Sequence, residues 1–514
     1  MTPSPGPPAT TGIVVARIER WWRPLLVLLL AAEAALLAVA AYGRPFWHDE
    51  ICTLLTAALP LATLRDGYLA GVDLSLPLNT LATHLIHLTF GLGPITARLP
   101  AIVGFLTASG LTFALVHRRS NATVALAATM LLTGTLAWRY GTEARGYGLS
   151  LACAAGAWFG WVEAAAGRRV VRSTVIMGIS LAAGLWTHHY FVLAFLPIAV
   201  GELVRQIASR RFAARSWVTM GLASLALVPL LPLIQVAAAQ RTTFWARPRI
   251  TAIALVYPEL LDRLGRLPLV LVPVAMLLWL GVRLVRRARM DRRLEFVQEP
   301  VPSHEIAAAL AGVAIPAAGV VLGFVSHAFA GRYVTFSTVA LVVVTVAATW
   351  HSTPRRRGVD LAFLGMGALV LAATAWFTVT GTTRWRPADQ HPLLAERLRT
   401  GQETAVAGST AYIQFWYYAP SSERAHAVYL ADPAAELAHA GDNTIDLGYL
   451  SLARFSTLRV EPLQEFAATR ARFMLYVIGS QWQEGALRAR GATLTVVARD
   501  AGGTLYDVTT KSGN

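Results

Sequence analysis

Apolar residues in this chain arrive in long blocks separated by short polar ones. Runs of the length needed to cross a bilayer, about 17–25 residues, fall at 23–42, 98–117, 122–138, 147–166, 173–187, 189–205, 216–236, 268–286, 304–326, 333–350 and 359–380. The stretch 173–205 divides in two because Thr187, His188, His189 and Tyr190 interrupt it. Several runs carry Pro or Gly, which packed neighbouring helices tolerate. The pattern predicts a polytopic α-helical membrane protein of about eleven spans. The first run is too long for the apolar part of a cleavable signal and reads as a retained span. Two segments break the rhythm. Residues 43–97 form a long loop with helix-like stretches at 51–66 and 78–90, the second too short to span. After residue 380, short β-like runs at Thr404–Ala407, Ala427–Leu430, Phe473–Ile478, Ala492–Ala498 and Thr504–Val508 alternate with polar-faced helical stretches such as His391–Thr400, which predicts a small α/β domain.

Composition agrees with the pattern. Of 514 residues, 55% are apolar and 14% charged, against about 25% charged in ordinary soluble domains. This excludes a soluble enzyme and a fibrous protein. The net charge of +16 lies wholly in 1–380, since 381–514 carries 13 basic and 13 acidic residues. All basic residues but Lys511 are arginine, clustered between apolar runs, a placement that orients a membrane protein and does not bind nucleic acid. With a cytoplasmic N-terminus, inside segments hold 21 arginines (among them Arg17, Arg118, Arg168, Arg210, Arg286 and Arg356) and outside segments of the membrane part hold 11. An odd number of crossings then puts 43–97 and the C-terminal domain on the outer face. The organisation expected is a tail at 1–22 with a disordered Pro/Thr/Ser-rich start, a membrane domain at 23–380, and an extracytoplasmic α/β domain at 381–514. Cys52 and Cys153 form no disulfide framework or metal spacing.

Candidate chemistry gathers at the outer loops. The first opens Arg44-Pro-Phe-Trp-His-Asp-Glu50 and continues to Asp73 and Pro77. Asp49 and Glu50 stand beside aromatic residues, where a partly dry setting raises a carboxylate pKa toward general-base range; the plainer alternative is that Asp49 caps a helix starting near Ile51. Asp73 reads equally as a turn residue. The second loop, Trp138 to Tyr147, holds Glu143 between Arg139 and Arg145, either an interfacial aromatic belt with a salt bridge or a cavity wall. Arg332-Tyr333 offers one guanidinium at a membrane face, a natural phosphate binder. Adjacent His188 and His189 point different ways on a helix and do not make a metal site. Glu33 is the one acid seen deep in a span, with a hydroxyl or arginine expected as partner. Asn121-Ala-Thr123 matches a glycosylation sequon but falls on the inner side.

The order of these parts resembles the glycosyltransferase C (GT-C) superfamily, and within it the family 39 type of protein O-mannosyltransferases, lipid A aminoarabinose transferases and their bacterial relatives. The resemblance covers roughly 20–350 and is specific in 44–147 and at 331–333. It implies a bacterial plasma-membrane enzyme that moves a sugar, mannose-like or another hexose or pentose, from a polyprenyl-phosphate carrier to a hydroxyl of a glycan, lipid or protein acceptor. Asp49 matches the catalytic acid of the first loop, Glu50 its companion and Glu143 the second-loop acid. Arg145, Tyr147, Arg332 and Tyr333 match positions suited to the donor phosphate; His48 and Asp73 belong to the loop that shapes the acceptor side. The usual Asp-x-His-Pro-Pro-Leu-Tyr becomes Asp73-Leu-Ser-Leu-Pro-Leu-Asn79, and Gly146 stands where Pro follows the arginine, departures that bear on the acceptor more than on the reaction. Some superfamily members hold a divalent metal at the paired acids, whereas family 39 types imply no cofactor. A transporter or lipid flippase is the competing class, but it would more naturally show internal repeats.

Overall fold

The computed structural model describes residues 10–262, 301–352, 358–381 and 387–510. The run at 268–286, the inner arginine clusters near 286 and 356, residues 1–9 of the expected tail and Lys511 lie outside these segments. The first helix, α1 (Thr10–Gly43), starts well before residue 23, so half of the expected tail is helical. Arg17, Arg20 and Arg23 lie toward its start, and the prolines of the N-terminal stretch end at Pro8, before the helix begins.

Among the described residues, seven helical stretches are long and apolar enough to cross a membrane: Ile13–Gly43, Thr96–His117, His189–Ser209, Ala214–Ala239, Ser303–Ser326, Gly331–His351 and Val359–Gly381. Two shorter apolar helices, α6 (Ala122–Leu132) and α9 (Val170–Leu185), and the 19-residue α8 (Tyr147–Ala165) pack among them. The protein is an integral membrane protein. Side chains such as Val27, Ile179, Leu222, Val325 and Leu369 remain exposed on the bundle's outside, where lipid replaces water as their neighbour. Inside, small residues let helices approach closely. Helix α5 (Leu99–His117) crosses α8 at Gly104 and Gly148, where a Cβ on Gly104 would stand 2.3 Å from the Gly148 backbone carbon. The expected single span at 122–138 is interrupted: α6 ends at Leu132 and α7 (Leu136–Tyr140) restarts after Thr135, whose hydroxyl caps it. Asn121 of the sequon caps α6 through Val124 N.

Glu33 finds the expected hydroxyl, accepting from Ser109 Oγ at 2.7 Å. It is not the only buried acid of the helical part. Glu202 is also fully buried, accepting from Trp161 Nε1 at 3.0 Å, Arg205 Nη2 at 2.6 Å and Ser216 Oγ at 3.2 Å. Its place one turn from Arg205, at the end of an apolar run, hid it from a span-by-span reading.

The loop 43–97 folds into α2 (His48–Ala57), α3 (Leu61–Leu69) and α4 (Leu78–Phe90). Pro60 separates the first two, where one helix-like stretch was expected. The C-terminal domain is a six-stranded sheet ordered β3-β2-β1-β4-β6-β5. Its strands are β1 (Thr404–Ala407), β2 (Ala427–Ala431), β3 (Val460–Pro462), β4 (Arg472–Val477), β5 (Thr493–Arg499) and β6 (Thr504–Thr509). Strands β1 to β4 pair in parallel, and β6 runs antiparallel to both its neighbours, β4 and β5. This domain is not an independent appendage: Phe46, Ile51 and Leu54 share one apolar core with Tyr412, Phe415, Trp416 and Tyr449. Backbone contacts seal the joint, with Gln414 Nε2 donating to Phe46 O at 2.9 Å and Phe46 N to Tyr418 Oη at 2.6 Å. The first loop and the α/β domain therefore occupy the same side of the helical bundle.

Candidate active site

Where these parts meet lies a cavity of about 640 Å³. Helix α2 contributes His48 and Asp49, the turn before α4 contributes Asp73, and the loop before α8 contributes Arg145. His188 and His189 come from the break after α9, and Arg332 and Tyr333 from the start of Gly331–His351. One wall is apolar, with Val192, Ile234 and Leu322 prominent, and Val192 and Trp245 carry the lining out to the protein surface.

Helix α2 fixes Asp49 by its start. Trp47 is the N-cap, and Glu50, not Asp49, accepts the Trp47 backbone N–H at 3.2 Å. Capping is thus taken by the neighbour, and Asp49 turns to the cavity. Its Oδ1 lies 3.1 Å from His48 Nδ1 and its Oδ2 3.5 Å from Arg332 Nη2. Burial pushes this carboxyl up, but the His48 hydrogen bond and the charges of Arg145 and Arg332 outweigh it and hold Asp49 well below the ordinary range. The expected upward shift does not occur at Asp49, because the dry setting brings two guanidiniums with it.

Arg145 is a hub. Its Nη1 donates to Thr53 Oγ1 at 2.8 Å, Asp73 Oδ2 at 3.2 Å and Asp49 O at 3.3 Å. Asp73 also accepts Ser75 N at 2.8 Å, so the turn and the ion pair coexist in one residue. Gly146 lies against the next break: a Cβ there would stand 2.8 Å from Thr187 O. Arg332 lies over the rings of Trp47, Trp245 and Tyr333 at 5.6, 5.0 and 5.8 Å, and its Nε has no partner among the described residues. Tyr333 and Tyr147 flank His188, with ring centroids 4.8 and 5.6 Å away. Burial first, then His189 and the nearby arginines, pushes the His188 imidazole down.

Two expected site residues are elsewhere. Glu50 is fully buried beneath the cavity floor, paired with Arg98 through two 2.7 Å bonds, and also accepts Ala144 N at 2.8 Å. Arg98 in turn donates to Ala41 O, to Arg44 O at 2.8 Å and to Pro45 O at 3.3 Å. The pair ties the end of α1, the first loop and the second loop together. Glu143 points away too, 3.5 Å from both Arg44 and Arg139 rather than toward Arg145. Burial drives it up to about 7 against the pull of Arg44. Among the described residues, no three His, Cys, Asp or Glu side chains converge as metal ligands. The paired acids diverge, one to His48 and Arg332 and one to Arg98, so they do not fit a shared cation.

No family model matches the sequence, and no curated protein matches it significantly. Solved structures do match. ArnT from Cupriavidus metallidurans in the apo state aligns with a TM-score of 0.57 at 13% identity, covering 94% of this chain and 98% of that one. The chain has the GT-C fold. ArnT bound to undecaprenyl phosphate aligns at 0.54 and 15% identity, over 97% of this chain and 98% of that one. The Archaeoglobus fulgidus oligosaccharyltransferase in complex with Zn and sulfate aligns at 0.46 and 11% identity, over 88% and 68% of the respective chains. The ArnT alignments take in the C-terminal domain as well as the bundle, since they cover nearly the whole of both chains.

Proposed function

We propose that this GT-C chain is a membrane glycosyltransferase that moves a sugar from a polyprenyl-phosphate carrier to an acceptor hydroxyl on the outer face of the plasma membrane, with Asp49 as base and inversion at the sugar carbon. The carrying observation is the Asp49 carboxylate 3.5 Å from Arg332 in a cavity whose apolar wall includes Val192, exposed on the outside of the helical bundle. An isoprenoid tail suits that wall, and its phosphate suits the guanidiniums, which match phosphate oxygens in forked pairs. The undecaprenyl phosphate held by ArnT, of the same fold, supports this reading.

The chemistry needs one base and one cationic cradle. The acceptor oxygen bonds to the anomeric carbon as Asp49 removes its proton, and the bond from that carbon to the phosphate oxygen breaks. The electron pair leaves on the phosphate, where Arg332 and Arg145 stabilise the growing charge. A carboxylate held so low is a weak base in the free protein. Donor binding addresses this, because phosphate draws on the same guanidinium charge that depresses Asp49, so loading the donor raises the basicity of the base. Glu50 and Glu143 act at a distance in this scheme, positioning the two loops.

Incubating membranes that contain the chain with radiolabelled polyprenyl-phosphate sugars tests the proposal. Label should leave the lipid fraction for an acceptor, and should stay with the Asp49→Asn chain. Label that remains on every carrier offered overturns it.

A further inference from the structure

The roof of the cavity belongs to the α/β domain. Helix Thr444–Ala453 presents Thr444, Ile445, Gly448 and Tyr449 to it, beside Thr410. The roof is pinned to the membrane part: Arg247 Nη2 donates to Gly441 O at 2.6 Å, and Asn443 N to Thr243 O at 3.3 Å. On the far side the Tyr449 ring stacks on His48, with centroids 5.4 Å apart, and His48 touches Asp49. One chain of contacts thus leads from the roof to the carboxylate.

Several buried polar atoms along this roofline have no partner among the described residues: His48 Nε2, Gln240 Oε1, Thr444 Oγ1 and Trp47 Nε1. Buried polar groups are ordinarily satisfied, so a cluster of unsatisfied ones on a cavity wall marks a ligand's polar face. Their character narrows the ligand. The amide oxygen of Gln240 only accepts hydrogen bonds, and His48, whose Nδ1 is engaged by Asp49, has only Nε2 left to meet a ligand. An ionised phosphate has no hydrogen to give the Gln240 oxygen. A polyol does, and its oxygens can also accept from Trp47 Nε1 and Thr444.

We infer that Gln240, Thr444 and His48 form a subsite, built jointly by the membrane loop and the α/β domain, that recognises the hydroxyls of the donor sugar. The inference rests on the transferase reading and adds what the C-terminal domain is for: it reads the sugar while the arginines hold the phosphate. The contact of His48 with Asp49 places the reading groups one side chain from the reacting centre, which favours the donor sugar over a distant part of the acceptor.

Binding to the purified full-length protein separates the two ideas. The probes are undecaprenyl phosphate and undecaprenyl-phosphate-linked mannose, glucose and arabinose. The wild type should bind at least one glycosylated lipid more tightly than the bare phosphate. Gln240→Leu and Thr444→Val should each cut that gain about three- to tenfold, the scale of one lost neutral hydrogen bond, while bare-lipid affinity, which also reports correct folding, stays at the wild-type level. A gain that survives both variants, or equal losses for bare and glycosylated lipid, overturns the subsite. Equal wild-type binding of bare and glycosylated forms overturns it as well and leaves the transferase reading standing. A wild type that binds none of the four overturns both.

Discussion

Asp49 and Glu143 show how neighbouring charges, not burial alone, decide what a carboxylate can do. Both sit in a dry setting, yet Asp49 is held low by the His48 hydrogen bond and by Arg145 and Arg332, whereas burial pushes Glu143 up to about 7 because the nearby Glu50 and Asp49 carboxylates offset part of the pull of Arg44 and Arg139. Asp49→Asn keeps size and hydrogen-bonding reach but cannot accept a proton, so transfer should slow by about 10²–10⁴-fold with donor affinity little changed; near-wild-type turnover would remove Asp49 from the chemistry. Arg332→Ala should weaken donor binding by about 10–100-fold, the worth of a charge-assisted hydrogen bond, with Lys rescuing only in part. The same change removes a cation from Asp49, so the acid limb of the kcat/KM profile should move to higher pH. Glu143 makes a separate claim about stability. Its folded pKa lies above the ordinary 4.5, so its contribution is whole below about pH 4.5 and fades as pH rises toward 7, because the unfolded chain releases the proton first. Glu143→Gln should flatten that part of the curve of melting temperature against pH, and an unchanged slope would contradict it.

At the scale of elements, the sequence showed most of what is regular and little of what depends on distant partners. Five strands could be read from alternating and β-branched runs, but β3 could not: Val460-Glu461-Pro462 is a three-residue edge strand with one strong β-former, and Pro marks an edge only once a sheet exists. The helices of the first loop were legible as apolar segments, and the break at Pro60 was not. Asp49, Arg145 and Arg332 stood out by chemistry in apolar surroundings, and the structure brings them to one cavity. Glu50 was misplaced because its partner, Arg98, lies 48 positions away and meets it only after α2 packs against the bundle. Nothing local separates a carboxylate that faces a cavity from its neighbour that faces a guanidinium. The placement carries its own expectation. Arg98→Ala leaves a buried carboxylate unpaired and should destabilise the protein by about 3–5 kcal/mol. Unfolding of detergent-solubilised protein measures this, and loss of activity without loss of stability would return Glu50 to the chemistry.

For the whole molecule, the decisive feature is that the first loop and the α/β domain share a core, so the site is finished only when chain segments almost 400 residues apart in sequence dock, as Phe46 and Gln414 do across 368 positions. Composition marked 381–514 as different from the bundle, yet the roof residues Thr444 and Tyr449 carried no signal, since their role exists only through docking. The shared core also ties topology to function. Arginine placement leads to the expectation that the first loop is outside, and the contacts of Phe46 with Gln414 and Tyr418 require the C-terminal domain to be on the same side as that loop. A fluorescent reporter that matures only in the cytoplasm should therefore be dark when fused after residue 514, and bright when inserted beside Ser120, at the α5–α6 turn on the opposite side of the bundle. A bright C-terminal fusion with a dark Ser120 insertion would invert the orientation while keeping the two outer parts together. Equal signals from both would break the docking itself, and with it the cavity on which the proposed base, phosphate cradle and sugar-reading roof all depend.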